Sequence, residues 1–236
     1  VYGLGWLKLE VYDKWRAGDG NFDIIQFDST ANPLFPEEEF ERARASMPPW
    51  KFNMLYRGMF DKPAGMVYDC FDEASCVIDR FPIPLNWLWY VGHDFGSVNP
   101  AAVVFAQDPS TGIFYLVQEY LPGTRGVYEQ VSDLKKLTLG AMVMRRVGGS
   151  LQEKGWRDDY TAQGWPIMEP MVKDVAVGIG RVYAFHKRNA VMVFRDCKHY
   201  LNEKLSYSYK WGEGYGATDV IDRQSSYHLM DAERYV

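Results

Sequence analysis

The feature that most constrains the fold is a series of three apolar segments between residues 87 and 117. They are WLWYV at 87–91, AAVVFA at 101–106 and IFYLV at 113–117. Short polar stretches separate them, and the second connection, DPSTG, is typical of a tight turn. Segments this short and this close in sequence pair most readily with their neighbours. The pattern therefore predicts three consecutive strands in an antiparallel meander.

Helices and strands alternate after the meander. The predicted helices cover 126–138, 148–164, 172–188, 196–207 and 226–235, and the predicted strands cover 141–147, 165–170 and 190–194. A meander followed by this alternation is the order of a ribonuclease H-like α/β fold. The sequence thus predicts a mixed central sheet, made of the meander and parallel strands, with helices on its flanks.

The first 50 residues follow a different pattern. GLGWLKLEVYDKW has helical spacing, NFDIIQFDSTANPLFP predicts a strand and a loop, and PEEEFERARASM predicts a short helix that Pro48 and Pro49 end. A linker of short extended pieces is expected next, and SYSYKWGEGYGATDVID at 206–222 predicts a β-hairpin. We therefore expect two parts, residues 1–50 and residues 51–236.

Composition narrows the class of protein. A chain of 236 residues with 47% hydrophobic content can bury a sizeable core. Its three cysteines form no CxxC pair, which argues against a disulfide framework and a thiolate zinc site. No apolar run reaches the roughly 20 residues that a membrane span needs, and the N-terminus lacks a signal-peptide pattern. These features predict a cytoplasmic protein with no membrane partner.

Charge is unevenly distributed along the chain. The net charge is −5, yet residues 135–210 contain 14 Lys and Arg against 7 Asp and Glu. Such a basic segment is typical of a phosphate-binding surface, with Arg145, Arg146, Lys187 and Arg188 as candidate DNA-binding residues. The alternative is an ordinary solvated helix surface.

Asp94 stands at the end of the first strand of the meander. A buried carboxylate needs a hydrogen bond, a cation or a metal to offset its desolvation. In a ribonuclease H-like fold, acids from the first strand, from near the fourth strand and from a late helix meet at one end of the sheet. Such acids can hold two Mg²⁺ or Mn²⁺ ions that hydrolyse a phosphodiester. The alternative is a turn acid that caps a backbone NH.

Several segments resemble one protein family. GHDFGSVNPAAVVF, GGSLQEKGWRDDYTAQGWPIMEP, VGIGRVYAFHKR and SYHLMDAERYV are similar to the nuclease domain of the large terminase subunit of tailed bacteriophages and prophages. GLGWL, STANPLFPEEEFERAR and YRGMFDKPAGMVYDCF resemble the end of that family's packaging ATPase domain and its linker. The resemblance spans nearly the whole chain, and HLMDAERY is its most specific part.

The resemblance implies a metal-dependent endonuclease that cuts concatemeric viral double-stranded DNA in the cytoplasm of an infected bacterium. It implies an upstream ATPase domain, a small terminase subunit and a portal protein as partners. The chain contains no GxxxxGK[ST] phosphate loop, so we expect it to be the C-terminal part of a longer protein and not to hydrolyse ATP.

The resemblance also assigns roles to residues. Asp94 and Asp231 match metal ligands of the family. Many relatives place an Asp directly after the fourth strand, where this chain has GGS at 148–150, so Glu153 is the expected second acid. Glu153 also fits a capping box with Ser150, and Asp158 or Asp159 are alternatives.

Two histidines lie near the predicted ligands. His228 precedes Asp231 by three residues, so it is expected on the same helical face, as a catalytic residue or as a structural hydrogen-bonding group. His93 should point to the face of the strand opposite Asp94 and is expected to be structural.

Two other classes of function stay open from the residues alone. An actin-like ATPase fold also opens with a DxG strand and a meander, but it needs a second DxG phosphate loop and a glycine-rich adenosine site, which are absent. A non-catalytic module that docks on DNA or a portal protein would use the acids only structurally. The hairpin at 206–222 is either a mobile flap over the DNA or an ordinary surface hairpin.

Overall fold

The computed structural model describes residues 7–46, 49–59, 65–84, 86–211, 217–222 and 224–236. The chain divides into two compact units. Unit 1 comprises Val1–Val67 and Asn202–Gln224, and unit 2 comprises Tyr68–Leu201 and Ser225–Val236. The division at residue 50 expected from the sequence stays a prediction. Among the described residues, no helix is long and apolar enough to cross a membrane.

The secondary structure follows the alternation predicted from the sequence in most of the chain. A π-helical turn (Lys8–Tyr12) comes first, and 3-10 turns cover Ser29–Ala31, Leu151–Glu153 and Gln224–Ser226. The α-helices are α1 (Asp13–Arg16), α2 (Glu37–Ser46), α3 (Pro49–Tyr56), α4 (Glu73–Cys76), α5 (Val127–Leu137), α6 (Lys154–Ala162), α7 (Val175–Lys187), α8 (Lys198–Ser206) and α9 (His228–Glu233). The strands are β1 (Val77–Ile78), β2 (Leu88–Asp94), β3 (Ala101–Gln107), β4 (Phe114–Tyr120), β5 (Met142–Gly148), β6 (Val191–Phe194), β7 (Tyr209–Trp211) and β8 (Ala217–Ile221).

Unit 1 contains the largest departures from the sequence predictions. The strand expected in NFDIIQF is wrong: Ile25 and Phe27 are 83% and 63% exposed, and no described strand pairs with this segment. A strand needs a partner for its backbone hydrogen bonds, which local sequence does not supply. The extended linker is also wrong at Pro49–Tyr56, which forms α3, because proline suits the first position of a helix as well as the end of one.

Other unit 1 predictions are met. Helix α2 forms as expected, and Phe40 packs edge-on against Phe52 of α3 with ring centroids 4.9 Å apart. The hairpin expected at 206–222 is present as antiparallel β7 and β8, and its turn at 212–216 lies outside the described residues.

Unit 2 is built on a six-stranded mixed sheet with the order β1-β6-β4-β3-β2-β5. Strands β2, β3 and β4 form the predicted antiparallel meander. Strand β5 is parallel to β2, β6 is parallel to β4, and β1 is parallel to β6. The predicted strand at 165–170 is reduced to one parallel bridge between Val147 and Met168. The ribonuclease H-like fold with flanking helices is thereby confirmed.

The two sides of the sheet differ near the end of β2, because successive strand residues point to opposite faces. His93 points towards α6 and the segment after it, where Trp165 Nε1 donates to His93 Nε2 over 3.2 Å. Gly92 lies under α9, whose Ala232 carbonyl is in close contact with it. Helix α7 borders α9 through Gly178, which contacts Arg234. We call these sides the α6 face and the α9 face.

Candidate functional site

Asp94 lies at the C-terminal end of β2 and points to the α9 face. Its side chain is 19% exposed, and its Oδ2 lies 2.8 Å from Nδ1 of His228. Burial raises the pKa of Asp94, the His228 hydrogen bond lowers it, and the charges of Asp231 and Glu153 raise it. The charges of Asp231 and Glu153 therefore both act on Asp94.

Asp231 and His228 project from helix α9. One oxygen of Asp231, Oδ1, accepts hydrogen bonds from Arg234 Nη2 at 2.6 Å and Nε at 3.2 Å. Arg234 is almost fully buried, so its guanidinium is fixed by this ion pair. The three-residue spacing of His228, Asp231 and Arg234 places them on one side of the helix, as the sequence predicts for His228 and Asp231.

Gly92 explains how α9 reaches Asp94. A Cβ atom at this position would lie 2.1 Å from the carbonyl oxygen of Ala232 and 2.8 Å from Val236 Cγ2. Only a residue without a side chain lets the helix cross the strand so closely. The approach places the side of α9 that carries Asp231 beside the end of β2.

The turn after β5 has no room for a carboxylate at its first two positions. A Cβ on Gly148 would lie 2.5 Å from the His93 carbonyl oxygen, and one on Gly149, where φ is +72°, would lie 2.3 Å from the Phe95 ring. The buried Arg157 fixes this turn by donating Nη1 to the carbonyls of Gly148 and Ser150. An acid directly after β5 is therefore excluded at these two positions.

Glu153 is the acid that the structure brings near Asp94. Its Oε2 accepts the Ser150 backbone NH at 2.5 Å, so the predicted capping contact is present. Glu153 is half-buried and raises the pKa of Asp94. Asp158 and Asp159 are exposed, and Asp158 pairs with Lys154 at 2.5 Å. Neither of these two acids is among the main causes of the raised pKa of Asp94.

No role was predicted from the sequence for two residues of the C-terminal segment HLMDAERY, Tyr235 and Glu233. Burial raises the pKa of Tyr235, Arg234 lowers it, and the charges of Asp231, Asp94 and Glu153 raise it. Glu233 is buried, and its Oε1 accepts the Tyr200 hydroxyl at 2.5 Å. The signal for Tyr235 was its position four residues after Asp231, one helical turn away.

These residue types fit a divalent metal, although their present positions do not enclose one. Carboxylate oxygens are the ligands that Mg²⁺ and Mn²⁺ prefer. Among the described residues, no three His, Cys, Asp or Glu side chains are grouped closely enough to hold an ion. Each acid is held by a partner of its own: His228 for Asp94, Arg234 for Asp231 and the Ser150 NH for Glu153.

The predicted DNA-binding residues do not form one surface. Arg145 is exposed and points to the α9 face, whereas the guanidinium of Arg146 stacks 4.1 Å from the Trp165 ring on the α6 face. Lys187 and Arg188 are exposed at the end of α7, where Arg188 lies 4.0 Å over the Phe185 ring. Arg145 and the end of α7 therefore belong to the side of the sheet that carries Asp94.

Comparison with known proteins identifies similar structures. No family model and no curated protein sequence matches the chain. The large terminase of a thermophilic bacteriophage, in complex with ADP, matches with a TM-score of 0.64 and 21% identity over 98% of this chain and 58% of that one. The chain thus spans little more than half the length of that protein.

Isolated nuclease domains match a smaller part of the chain. The P22 large terminase nuclease domain has a TM-score of 0.59 and 16% identity, over 74% of this chain and 91% of its own. The SPP1 large terminase nuclease domain with bound Mn has a TM-score of 0.55 and 14% identity, over 71% and 95%. At these identities the likeness establishes the fold, and at that level it confirms the resemblance to large terminases.

Proposed function

We propose that this chain carries the metal-dependent endonuclease domain of a viral DNA-packaging terminase large subunit, which cuts concatemeric double-stranded DNA by two-metal phosphodiester hydrolysis. The observation that supports the proposal is the approach of Asp231 and Glu153 to Asp94 at the end of β2, near enough for their charges to act on Asp94 although the three side chains do not enclose an ion. Because burial and like charge both raise the pKa of Asp94, the folded protein holds unfavourable charge that a cation would offset.

Asp94, Asp231 and Glu153 would hold the two ions, which are Mg²⁺ or Mn²⁺. When bound, such ions lower the pKa of a water and stabilise the leaving oxygen of the phosphodiester. The SPP1 nuclease domain with bound Mn supports a divalent metal in this fold.

The chain's own residues prepare the site. His228 fixes the side-chain orientation of Asp94, and Arg234 fixes that of Asp231. His228 can also hold a proton next to Asp94, which fits a catalytic role beside the scissile phosphate. Lys187 and Arg188 lie on the exposed end of α7, and with Arg145 they would bind the DNA backbone.

The same proposal places the chain within a larger protein. Residues 1–50 would be the end of the packaging ATPase domain with its linker, and residues 51–236 the nuclease domain. The upstream ATPase domain, the small terminase subunit and the portal protein would be its partners in the cytoplasm of an infected bacterium.

A plasmid-nicking assay tests the activity. The chain should nick or degrade duplex DNA with little sequence preference in Mn²⁺ or Mg²⁺, and it should stop when a chelator is added. Binding of DNA without any cleavage, at high protein and metal concentration, would favour a non-catalytic docking module. Hydrolysis of ATP without cleavage would favour an actin-like ATPase.

A further inference from the structure

A cavity of about 300 Å³ lies on the α9 face of unit 2. Phe105 and Val147 line it from the sheet, Val182 and Phe185 from α7, and Tyr235 from the end of α9. Pockets for small molecules span about 300–1,000 Å³, so this cavity suits a ligand the size of a nucleotide. It is too small to accommodate a helix of a partner protein.

Two arginines give the cavity a positive rim. Arg145 and Arg181 both line it, and neither forms an ion pair within the described part of the chain. The acids of the lining are engaged elsewhere: Glu169 pairs with Lys173 at 2.8 Å, and Glu233 accepts the Tyr200 hydroxyl. The two guanidinium groups are thus available for an anion, and phosphate suits their geometry.

The remaining lining is apolar and aromatic. Phe185 and Tyr235 present rings, and Val147, Val182 and Met171 fill the space between the elements. Aromatic rings beside arginines are the combination that binds the bases and phosphates of single-stranded nucleic acid. An acidic peptide could also pair with the arginines, but its carboxylates would not stack on the aromatic rings of the cavity.

The cavity also lies at a suitable distance from the acids. Arg145 of β5 is paired with Tyr90 of the neighbouring strand β2. Asp94 follows Tyr90 by four residues on β2. At about 3.3 Å per residue, Arg145 lies about 13 Å from the level of Asp94. Tyr235 lines the cavity and follows Asp231 by four residues, so the cavity and the acid-bearing helix α9 share this end of the chain. A DNA strand that crosses Asp94 would reach the cavity within a few nucleotides.

We propose that this cavity binds one unpaired nucleotide of the DNA substrate beside the cut. The base packs in the cavity that Phe185 and Tyr235 line, and its phosphate lies on Arg145 and Arg181. The inference rests on the proposed function, because that function identifies DNA as the ligand. It adds a step of local strand opening to the cleavage reaction.

The test measures binding separately from cleavage. Fluorescence anisotropy in chelator follows the full chain with two labelled probes of equal length and charge: a single-stranded oligothymidylate and the same strand with abasic sites. Stacking of one base on aromatic side chains predicts about tenfold tighter binding of the probe that carries bases. Arg145→Gln combined with Arg181→Gln should weaken both probes and reduce the salt slope by about 1.4.

Variants at Met171 and Val182 test the cavity itself. Met171 is 88% exposed at its mouth, so substitution there leaves folding intact. Met171→Glu should weaken binding of both probes several-fold and Met171→Lys should strengthen it, because only the sign of the charge differs. Val182→Trp fills the cavity and should abolish the preference for bases without changing the affinity for the abasic strand. Lys136→Gln, on α5, is the matched surface control.

Equal affinity of wild type for both probes would overturn the inference, and so would a Val182→Trp protein that keeps the preference for bases. Competition by an acidic peptide, with no preference for bases, would assign the cavity to a protein partner instead. The plasmid-nicking assay distinguishes failure of the nucleotide-binding inference from failure of the proposed nuclease. A chain that nicks DNA but shows no preference for bases would refute only the inference about the cavity. A chain that prefers bases but never nicks would refute the proposed nuclease and, with it, the position of the nucleotide beside a cut.

Discussion

His93 and Asp94 are neighbours on β2, yet they belong to opposite environments. His93 is buried on the α6 face, where Trp165 donates to it and aromatic rings surround it. Asp94 is partly exposed on the α9 face, where other carboxylates lie close by. The first side chain stabilises the fold in its neutral form. The second is held in a cluster of like charge, which is unfavourable unless something binds there.

The two residues also oppose each other in their effect on stability as pH changes. Burial, and then Arg146, lower the pKa of His93 to about 3. Below about pH 6.5 the unfolded chain therefore binds a proton at His93 that the folded chain does not bind. Asp94 has a raised pKa, so the folded chain keeps a proton that the unfolded chain has already released just above pH 3.8. One residue thus disfavours folding in acid, and the other disfavours it at neutral pH.

The largest expected effect comes from Asp94→Asn, which removes the charge and nearly keeps the shape. Plasmid cleavage in Mn²⁺ should fall by about a thousandfold, equivalent to about 4 kcal/mol of transition-state stabilisation. The metal-free protein should melt at the same temperature as wild type or higher, because a buried like charge is gone. Asp231→Asn should match it in cleavage, and a variant of Asp94 that cuts at the wild-type rate would refute the mechanism.

Substitution of Gly92 tests whether close packing of α9 against β2 positions the acids, without changing any charge. Gly92→Ala places a methyl group against the Ala232 carbonyl and should destabilise the protein by about 3 kcal/mol. The melting temperature should fall by about 6–12 °C, and cleavage should fall with it as α9 moves away from β2. Gly180→Ala is the control, since that exposed helical position is open and alanine there should stabilise by about 0.5–1 kcal/mol. Equal effects of the two variants would contradict the close approach.

Glu153→Gln distinguishes a metal ligand from a helix cap. Glutamine can still accept the Ser150 NH, so stability should change by less than about 0.5 kcal/mol in either case. Loss of the carboxylate should reduce cleavage by about a hundredfold and remove most of the rise in melting temperature with added Mn²⁺. Asp158→Asn, on the exposed side of α6, should leave cleavage within about twofold of wild type. Normal cleavage by Glu153→Gln would leave this residue only its capping role.

The last prediction concerns the α6 face, where the smallest effect on cleavage is expected and the effect on stability depends on pH. Between pH 6.5 and about 3, His93 should make the free energy of unfolding fall by up to about 1.4 kcal/mol per pH unit as the solution is acidified. His93→Gln, which keeps an acceptor for Trp165, should lose that part of the slope. Urea denaturation at a series of pH values measures the difference between the two proteins. Parallel curves would mean that folding does not lower the pKa of His93.

Much of the site was predictable because its signals are local. Alternation of period two fixed Asp94 and His93 on opposite faces of a strand, and helical spacing placed His228 and Asp231 together on the last helix. The meander followed from the lengths of its turns. The strand predicted in NFDIIQF failed for the complementary reason, since a strand exists only where another chain segment pairs with it.

Other features were decided only by tertiary structure. The sequence by itself determined that Asp94 ends a strand and that Asp231 lies on the last helix, because residue type and periodicity are local properties. It did not determine that Gly148 and Gly149 leave no room for an acid, or that Gly92 admits α9. Those facts depend on steric contacts between segments more than 50 residues apart in sequence, such as Gly148 with His93 and Gly92 with Ala232. Local sequence patterns carry no information about contacts between distant segments, so these contacts are known only from the packed tertiary structure.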